Sequence, residues 1–201
     1  MRSSKKNTAK IILVFIIVIT IIGYMIIPKL LKHIYPVKYE NTILKYSEEY
    51  GLNPYLVIAI IKVESNFNQK ALSKKNAIGL MQIREPTGEW IAGKIGIHNF
   101  IDEMLYEPEI NIRMGCWYIN YLTKYYGNNL KLALAAYNGG QGNVDKWLKD
   151  KDLSDDGHSL KYIPFDETRH YIKKIEKTYV IYKNIYDKAY IKQMKGMNII
   201  G

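Results

Sequence analysis

The longest apolar run of the sequence lies near its N-terminus, where residues 11–27 carry no charged side chain. Seventeen residues at the helical rise extend about 26 Å, slightly less than the hydrocarbon core of a bilayer. Leu30 and Leu31 lengthen the run beyond Pro28, which kinks a helix more readily than it ends one here. We therefore predict a transmembrane anchor at residues 11–31, after a basic tail at residues 1–10.

A cleavable signal peptide is the alternative interpretation of this run, because it shares the basic start and the apolar core. No pair of small residues suitable for cleavage follows, since the next residues read IIPKLL. An uncleaved anchor is therefore favoured, with a short connector at residues 32–39.

Apolar residues recur at helical spacing from Glu40 onward, and no strand-like alternation of useful length is found. Polar, glycine-bearing stretches at 67–79 and 150–166 predict loops. The pattern predicts a mainly α domain over residues 40–186 and a basic C-terminal tail at 187–201. The predicted helices cover residues 39–50, 87–96, 108–126, 129–137, 142–149 and 167–186, with a further helix that starts at Asn53.

The helix that starts at Asn53 places a carboxylate on its core-facing stripe. Asn53 is a favourable N-cap, and Pro54 suits the first helical position. The stripe at i, i+3, i+4 and i+7 consists of Val57, Ile60, Ile61 and Glu64. Burial raises the pKa of a carboxyl group, which is typical of general acids in clefts. From spacing alone, a glutamate turned to solvent or held in a structural ion pair is the alternative.

The chain is basic, with 29 Lys and Arg against 19 Asp and Glu and a formal charge of +10. Such charge favours anionic partners, and nucleic acid is the first candidate. The basic residues are scattered among acidic ones, without a nucleic-acid-binding motif, so we expect no nucleic acid and favour cell-wall polymers or anionic lipid. The excess of 18 Tyr over 4 Phe suits a sugar-binding groove, or ordinary usage in a chain of this composition.

The single cysteine, Cys116, excludes an internal disulfide and a multi-cysteine metal site, and we expect no metal and no cofactor. Cys116 falls within a helical pattern as a small buried residue. The same core face is predicted to carry Ile112, Ile119 and Leu122.

The residues that follow Glu64 resemble a known family. Glu64-Ser65 and Phe67 read ES-x-F, and residues 73–82 read S-x-x-x-A-x-GLMQ. This pattern is similar to the catalytic segment of the soluble lytic transglycosylases, relatives of goose-type lysozyme. ALAAYNGG at 133–140 and ET-x-x-Y at 167–171 look like two later boxes of that family. The resemblance covers about residues 40–186 and implies a lysozyme-like helical fold.

The resemblance implies an enzyme that cuts peptidoglycan glycan strands between N-acetylmuramic acid and N-acetylglucosamine. Glu64 would act first as general acid and then as base, and the sugar's own 6-hydroxyl would form a 1,6-anhydro end. One carboxylate then suffices, which suits a sequence whose other candidates, Asp102, Glu103, Glu107 and Glu109, lie in a polar stretch typical of the surface. A lysozyme-type hydrolase and a non-catalytic wall-binding protein are the alternatives.

The resemblance also implies residues that bind the substrate or support the site. In it, Tyr171 donates its hydroxyl to Glu64, Tyr137 packs beside a sugar, and Asn138 hydrogen-bonds that sugar. Gly79 would allow close approach of a ligand, and Met81 is either a contact or plain core. The full set is Ser65, Ser73, Gly79, Met81, Gln82, Tyr137, Asn138 and Tyr171.

The sequence departs from the family pattern at Gln69, where proline is common, and at Asn76, where glycine is common. The proline that follows the GLMQ motif is Pro86, one position later than is usual in the family. Asn76 tolerates the left-handed conformation that a turn requires. These changes concern the shape of the loop and leave the reaction class unaltered.

Basic residues lie on both sides of the apolar run, so the charge pattern indicates its orientation in the membrane only weakly. The predicted location therefore depends on the resemblance. Peptidoglycan lies outside the cytoplasmic membrane. We therefore expect a single-pass membrane protein with its catalytic domain on the cell-wall side, in contact with glycan strands.

Overall fold

The computed structural model describes the backbone of residues 2–196 and the side chains of residues 12–187. Two compact units are present, Met1–Val37 with Asn184–Gly201, and Lys38–Lys183. The side chains of the predicted tail at 1–10, and residues 197–201 of the predicted C-terminal tail, lie outside the described residues.

The first unit is built on α1, Arg2–Ile34, which contains Pro28 in its interior. Its segment Ile12–Ile34 is the one helix among the described residues that is long and apolar enough to cross a membrane. The helix runs further than the predicted anchor and includes the first residues of the predicted connector. Within this unit, the Tyr186 hydroxyl donates to the Tyr35 carbonyl oxygen at 2.8 Å.

The second unit is mainly helical, and every predicted helix is found with ends shifted by a few residues at most, except the last. The last helix, α8, continues to Gly196, so its predicted end at residue 186 is wrong. No glycine or proline stands between those two positions to stop it. The helices that begin in this unit are α2 Glu40–Glu49, α3 Pro54–Ser65, α4 Glu85–Ile95, α5 Pro108–Tyr125, α6 Leu130–Gly139, α7 Gln141–Lys149 and α8 Asp166–Gly196. The residues of α8 from Asn184 onward belong to the first unit.

A small antiparallel hairpin was not predicted. Strands β1, Ala77–Ile78, and β2, Ile83–Arg84, pair with Ile78 opposite Ile83. Two-residue strands are too short for alternation to register in the sequence. A 3₁₀ helix, Asp102–Tyr106, was also missed, because its five residues are too few for a helical periodicity to be recognised.

The core of the second unit surrounds α3, whose side chains from Tyr55 to Ile61 are all buried. Such all-round burial identifies α3 as the central helix of the unit. The predicted core face of α5 is confirmed, because Ile112, Cys116, Ile119 and Leu122 are fully enclosed. Burial raises the pKa of the Cys116 thiol well above its usual range.

Candidate active site

Glu64 lies in the last turn of α3, where the helix leaves the core. The helix ends at Ser65, and the two residues that follow it, Asn66 and Phe67, have positive φ angles of 53° and 61° and turn the chain away from the helix axis. The Glu64 side chain is therefore half-buried at the wall of a groove. Desolvation by burial raises the pKa of Glu64 to about 7, against the opposing effects of the Tyr171 hydroxyl and the charge of Lys174.

Tyr171 reaches Glu64 from α8, 107 positions further along the chain. Its hydroxyl donates to Glu64 Oε1 at 2.7 Å, and its side chain is buried. Burial, followed by the nearby Glu64, raises the pKa of Tyr171 well above its ordinary value. Tyr171 therefore keeps its proton and remains a hydrogen-bond donor to the carboxyl group.

The groove beside Glu64 has a volume of about 650 Å³. Its walls are formed by the loop after α3, the hairpin, α5, the junction of α6 with α7, and the first turn of α8. Of the predicted site residues, the groove is lined by Glu64, Ser73, Gln82, Tyr137 and Asn138.

Tyr137 and Asn138 lie near the end of α6, and each is fixed by a hydrogen bond. The Tyr137 hydroxyl donates to the Met81 carbonyl oxygen at 2.7 Å, so its ring forms part of the wall. Asn138 Oδ1 accepts from the Thr168 hydroxyl at 2.8 Å. Thr168, which the sequence analysis gave only as part of the ET-x-x-Y box and without a role at the site, is buried and ties α8 to α6.

Gln82 and Ser73 also line the groove. Gln82 has a φ of 50°, and its side-chain amide donates to the Gly79 carbonyl oxygen at 2.9 Å. The Ser73 hydroxyl accepts from the Ala77 amide at 2.9 Å, which closes the loop before β1. Asn76 has a φ of 56°, as the sequence predicted for a left-handed turn position.

Gly79 and Met81 are not among the groove-lining residues. The sequence analysis expected Gly79 to allow close approach of a ligand, and the structure gives another reason for a glycine at this position. A Cβ atom at Gly79 would lie 2.2 Å from the Leu105 carbonyl oxygen, so the close approach is made by the protein itself. Met81 is fully buried, and a Cβ atom at Gly115 would lie 2.3 Å from its sulfur. Both residues support the groove from inside.

Asn111 holds this turn in place, although it was missed in the sequence. Its side-chain amide donates to the carbonyl oxygens of Ile78 at 3.0 Å and Leu105 at 2.7 Å. Its Oδ1 accepts from the Met81 amide at 2.7 Å. The sequence did offer a signal for this role, because Asn111 is a polar residue next to Ile112 on the predicted core face of α5. Ser65 adds a bond of 2.8 Å from its hydroxyl to the Leu80 carbonyl oxygen.

The rim of the groove is charged in a way that the sequence did not reveal. The lining residues include three basic ones, Lys74, Lys75 and Arg84, and the acidic Glu167. Lys75 Nζ and Glu167 Oε2 are 3.5 Å apart, and both side chains are exposed. Glu167 is the one acid besides Glu64 among the described lining residues.

The other acidic candidates of the sequence do not line this groove. Glu109, for example, is exposed and pairs with Lys45 at 2.7 Å. Within the described side chains, no group of three or more His, Cys, Asp or Glu residues is placed to hold a metal ion. Among the described lining residues, the groove therefore has one half-buried carboxyl group, that of Glu64, with a pKa raised to about 7.

Comparison with known proteins adds a family match. Residues 41–159 match the family described as Transglycosylase SLT domain. The soluble lytic murein transglycosylase of Salmonella typhimurium is 34% identical over 143 residues, which are 70% of this chain and 22% of that protein. Membrane-bound lytic murein transglycosylase C of Edwardsiella ictaluri is 30% identical over 175 residues, 74% of this chain and 47% of that protein.

Solved structures give the same result for the fold. An inactive mutant of lytic transglycosylase Slt from Pseudomonas aeruginosa superposes with a TM-score of 0.68 at 33% identity, over 78% of this chain and 26% of that one. The 70 kDa soluble lytic transglycosylase of Escherichia coli gives a TM-score of 0.66 at 29% identity, over 77% and 25%. The fold is lysozyme-like, and the chain spans between about a fifth and a half of the length of these relatives.

Proposed function

Because the chain belongs to the transglycosylase SLT domain family, we propose that it is a peptidoglycan lytic transglycosylase held in the cytoplasmic membrane by its N-terminal helix. The observation that carries this proposal is the half-buried Glu64, whose carboxyl group accepts a 2.7 Å hydrogen bond from Tyr171 at the wall of the groove. The relatives named as lytic murein transglycosylases support the substrate, a murein glycan strand.

The proposed reaction uses Glu64 twice. In its protonated form it donates a proton to the oxygen that joins C1 of N-acetylmuramic acid to N-acetylglucosamine. The C1–oxygen bond breaks, positive charge develops at C1, and Glu64 is left as the carboxylate. The 6-hydroxyl of the same muramic acid then bonds to C1 and gives its proton to Glu64, which leaves a 1,6-anhydro end and restores the acid.

A pKa of about 7 suits both halves of this cycle. An acid whose pKa lies near the working pH is protonated often enough to donate and basic enough to recover the proton. The Tyr171 hydroxyl stabilises the carboxylate between the two steps, since a hydrogen bond to the charged form favours it.

One carboxylate is enough for this route, whereas hydrolysis usually employs a second to activate water or to stabilise the sugar cation. Glu167 lies at the exposed rim beside Lys75 and is poorly placed for that work. This difference favours the lytic route over a lysozyme-type hydrolase.

Substrate positioning is proposed for the polar groups of the groove wall. Gln82 and Asn138 present donors and acceptors suited to acetamido and hydroxyl groups. Tyr137 offers the flat side of its ring, because its hydroxyl is already engaged by Met81.

Membrane attachment is proposed for Ile12–Ile34, whose apolar side chains are exposed along its length. A membrane-bound relative makes such attachment consistent with the family. We place the second unit on the cell-wall side, where glycan strands are found.

Digestion of intact peptidoglycan sacculi by the detergent-purified chain tests the proposal. Mass spectrometry is expected to find muropeptides lighter by one water than hydrolysis products, with no new reducing ends. Glu64→Gln should lower the rate by about 10²- to 10⁴-fold. Glu103→Gln, an exposed acid outside the groove, serves as the matched control.

Two results would overturn parts of this proposal. Products that carry a reducing muramic acid would make the protein a hydrolase. Wild-type cleavage by Glu64→Gln would remove Glu64 from the mechanism.

A further inference from the structure

Five aromatic side chains form a continuous cluster on the surface beside the groove. Trp117, Tyr121 and Tyr125 are spaced four residues apart on one face of α5, and Tyr118 lies next to them. Trp90, which belongs to α4, packs beside these residues. We call these five residues the aromatic row.

The rings of the row contact one another throughout. Trp117 and Tyr121 are stacked, with centroids 5.4 Å apart and planes 9° from parallel. Trp90 meets Trp117 edge-on at 5.2 Å and Tyr121 at 5.0 Å. Tyr125 continues the series at 6.0 Å from Tyr121. The row is therefore one surface and not a scatter of single rings.

The row starts inside the groove. Tyr118 lines the groove, 5.4 Å from the ring of Tyr137, and contacts Trp90 at 6.0 Å and Tyr121 at 6.4 Å. At the other end, Tyr125 lines a second cavity of about 1000 Å³. Trp117 to Tyr125 alone extends roughly 12 Å along the helix.

Core packing does not account for the row. Tyr125 is 52% exposed and Trp90 38% exposed, while Trp117, Tyr118 and Tyr121 are half-buried. An exposed, contiguous patch of large rings on a folded protein generally marks a binding surface.

We propose that the aromatic row is an accessory glycan-binding surface that holds the substrate strand beyond the groove. This inference rests on the proposed function, since it assigns the row to the same polymer. The C–H faces of pyranose rings pack against flat aromatic faces, and tyrosine adds a polar tip that tolerates water. The ring faces of the row are uncharged, which suits the neutral ring faces of a polysaccharide, and the Tyr125 hydroxyl at one end donates to Asp145 Oδ2 at 3.3 Å.

A membrane surface is the other structure that Trp and Tyr commonly face. The continuity of the row with the groove through Tyr118 favours the glycan, because a lipid contact would have no reason to extend to the wall that holds Glu64. The membrane is therefore kept as an outcome of the test.

Binding is measured with the full chain in detergent, carrying Glu64→Gln so that strands remain uncut. Fluorescently labelled long glycan strands are compared with a tetrasaccharide of the same sugars. Trp117→Ala and Tyr125→Ala are each expected to weaken long-strand binding by roughly 3- to 10-fold and to leave tetrasaccharide binding unchanged. Trp117→Phe, which keeps a ring, should restore most of the affinity.

Tyr162→Ala is the matched control, because Tyr162 is a 55% exposed tyrosine outside the row. Thermal denaturation shows whether each variant folds. If Trp117→Ala does not fold, the inference is tested with Tyr125→Ala, which changes the most exposed position of the row.

Unchanged long-strand binding in a folded row variant would overturn the inference. So would loss of binding to anionic lipid vesicles with glycan binding intact, which would make the row a membrane contact. The proposed function is judged separately, by cleavage with Glu64 intact. A protein that binds long strands through the row but yields no anhydro ends would keep this inference and lose the proposed reaction.

Discussion

Glu64 derives its chemistry from its place at the end of a buried helix. Were it one turn earlier, it would lie in the fully enclosed part of α3, where the side chains up to Ile61 are buried. At its actual position one side faces the core and the other faces the groove. This intermediate position raises its pKa without cutting the carboxyl group off from a substrate.

Under the proposed mechanism, the cleavage rate is expected to fall as the pH rises above about 7, because Glu64 then loses the proton that the first step uses. The measurement is the initial rate on sacculi in buffers of constant ionic strength between pH 5 and pH 9. A rate that stays constant across that range would separate the reaction from this carboxyl group.

Tyr171→Phe should slow cleavage by about 10- to 100-fold, since a hydrogen bond to the charged carboxylate is lost. The same loss raises the pKa of Glu64, so the decline of the rate should move to higher pH. The matched control is Tyr46→Phe, which removes a tyrosine hydroxyl from Glu109 at 2.8 Å, outside the groove. A Tyr171→Phe profile that keeps its midpoint would show that this bond does not tune Glu64.

Glu64→Gln is expected to stabilise the fold at high pH. The folded pKa of about 7 lies above the ordinary value of 4.5, so the wild type loses stability as the pH rises between those values. Above pH 7 the buried carboxylate costs roughly 3 kcal/mol, which glutamine does not incur.

Thermal denaturation at pH 5 and pH 8 measures this effect as the difference between variant and wild type. The difference should be small at pH 5 and favour the variant at pH 8. Equal differences at both pH values would mean that the carboxyl group titrates as it does in water.

At the level of elements, the sequence was most informative where periodicity ran for several turns. The helices of the second unit followed from apolar spacing and from caps such as Asn53, whose side chain accepts from the Tyr55 amide at 2.9 Å. The hairpin was missed because its two-residue strands show no alternation, and the bonds of Asn111 to Ile78 and Met81 beside it leave no periodic trace.

The candidate site divides in the same way. Residues within motifs, such as Glu64 and Tyr171, were predicted by resemblance, and the structure brings these two within hydrogen-bond distance. Thr168, Asn111 and the basic rim were not found, because their roles depend on which distant segments meet. That information lies in the packing of α5 and α8 against the loop and not in any single stretch of sequence.

Gly79→Ala should destabilise the fold by about 2–4 kcal/mol and lower activity, because the new Cβ meets the Leu105 carbonyl oxygen and a φ of 77° is unfavourable for alanine. Gly93→Ala is the control, since a Cβ atom there meets nothing within 4 Å. That change should stabilise α4 by roughly 0.5–1 kcal/mol. Urea denaturation measures both, and equal effects would contradict the packing described for Gly79.

At the scale of the whole molecule, the two units have different requirements for their surroundings. The first exposes a long apolar helix, whereas the second encloses its own core. Deletion of residues 1–34 should therefore move the protein from the membrane pellet to the soluble fraction after ultracentrifugation of lysed cells. A shortened chain that still sediments with carbonate-washed membranes would require another attachment.

The enclosure of Cys116 has a practical consequence for topology. It is the only cysteine in the sequence, it is fully buried, and its raised pKa keeps it as the unreactive thiol. A cysteine introduced elsewhere would therefore be the sole target of a membrane-impermeant maleimide. Labelling of Lys151→Cys but not of Ser4→Cys in intact cells would report directly which side of the bilayer each end of the protein occupies.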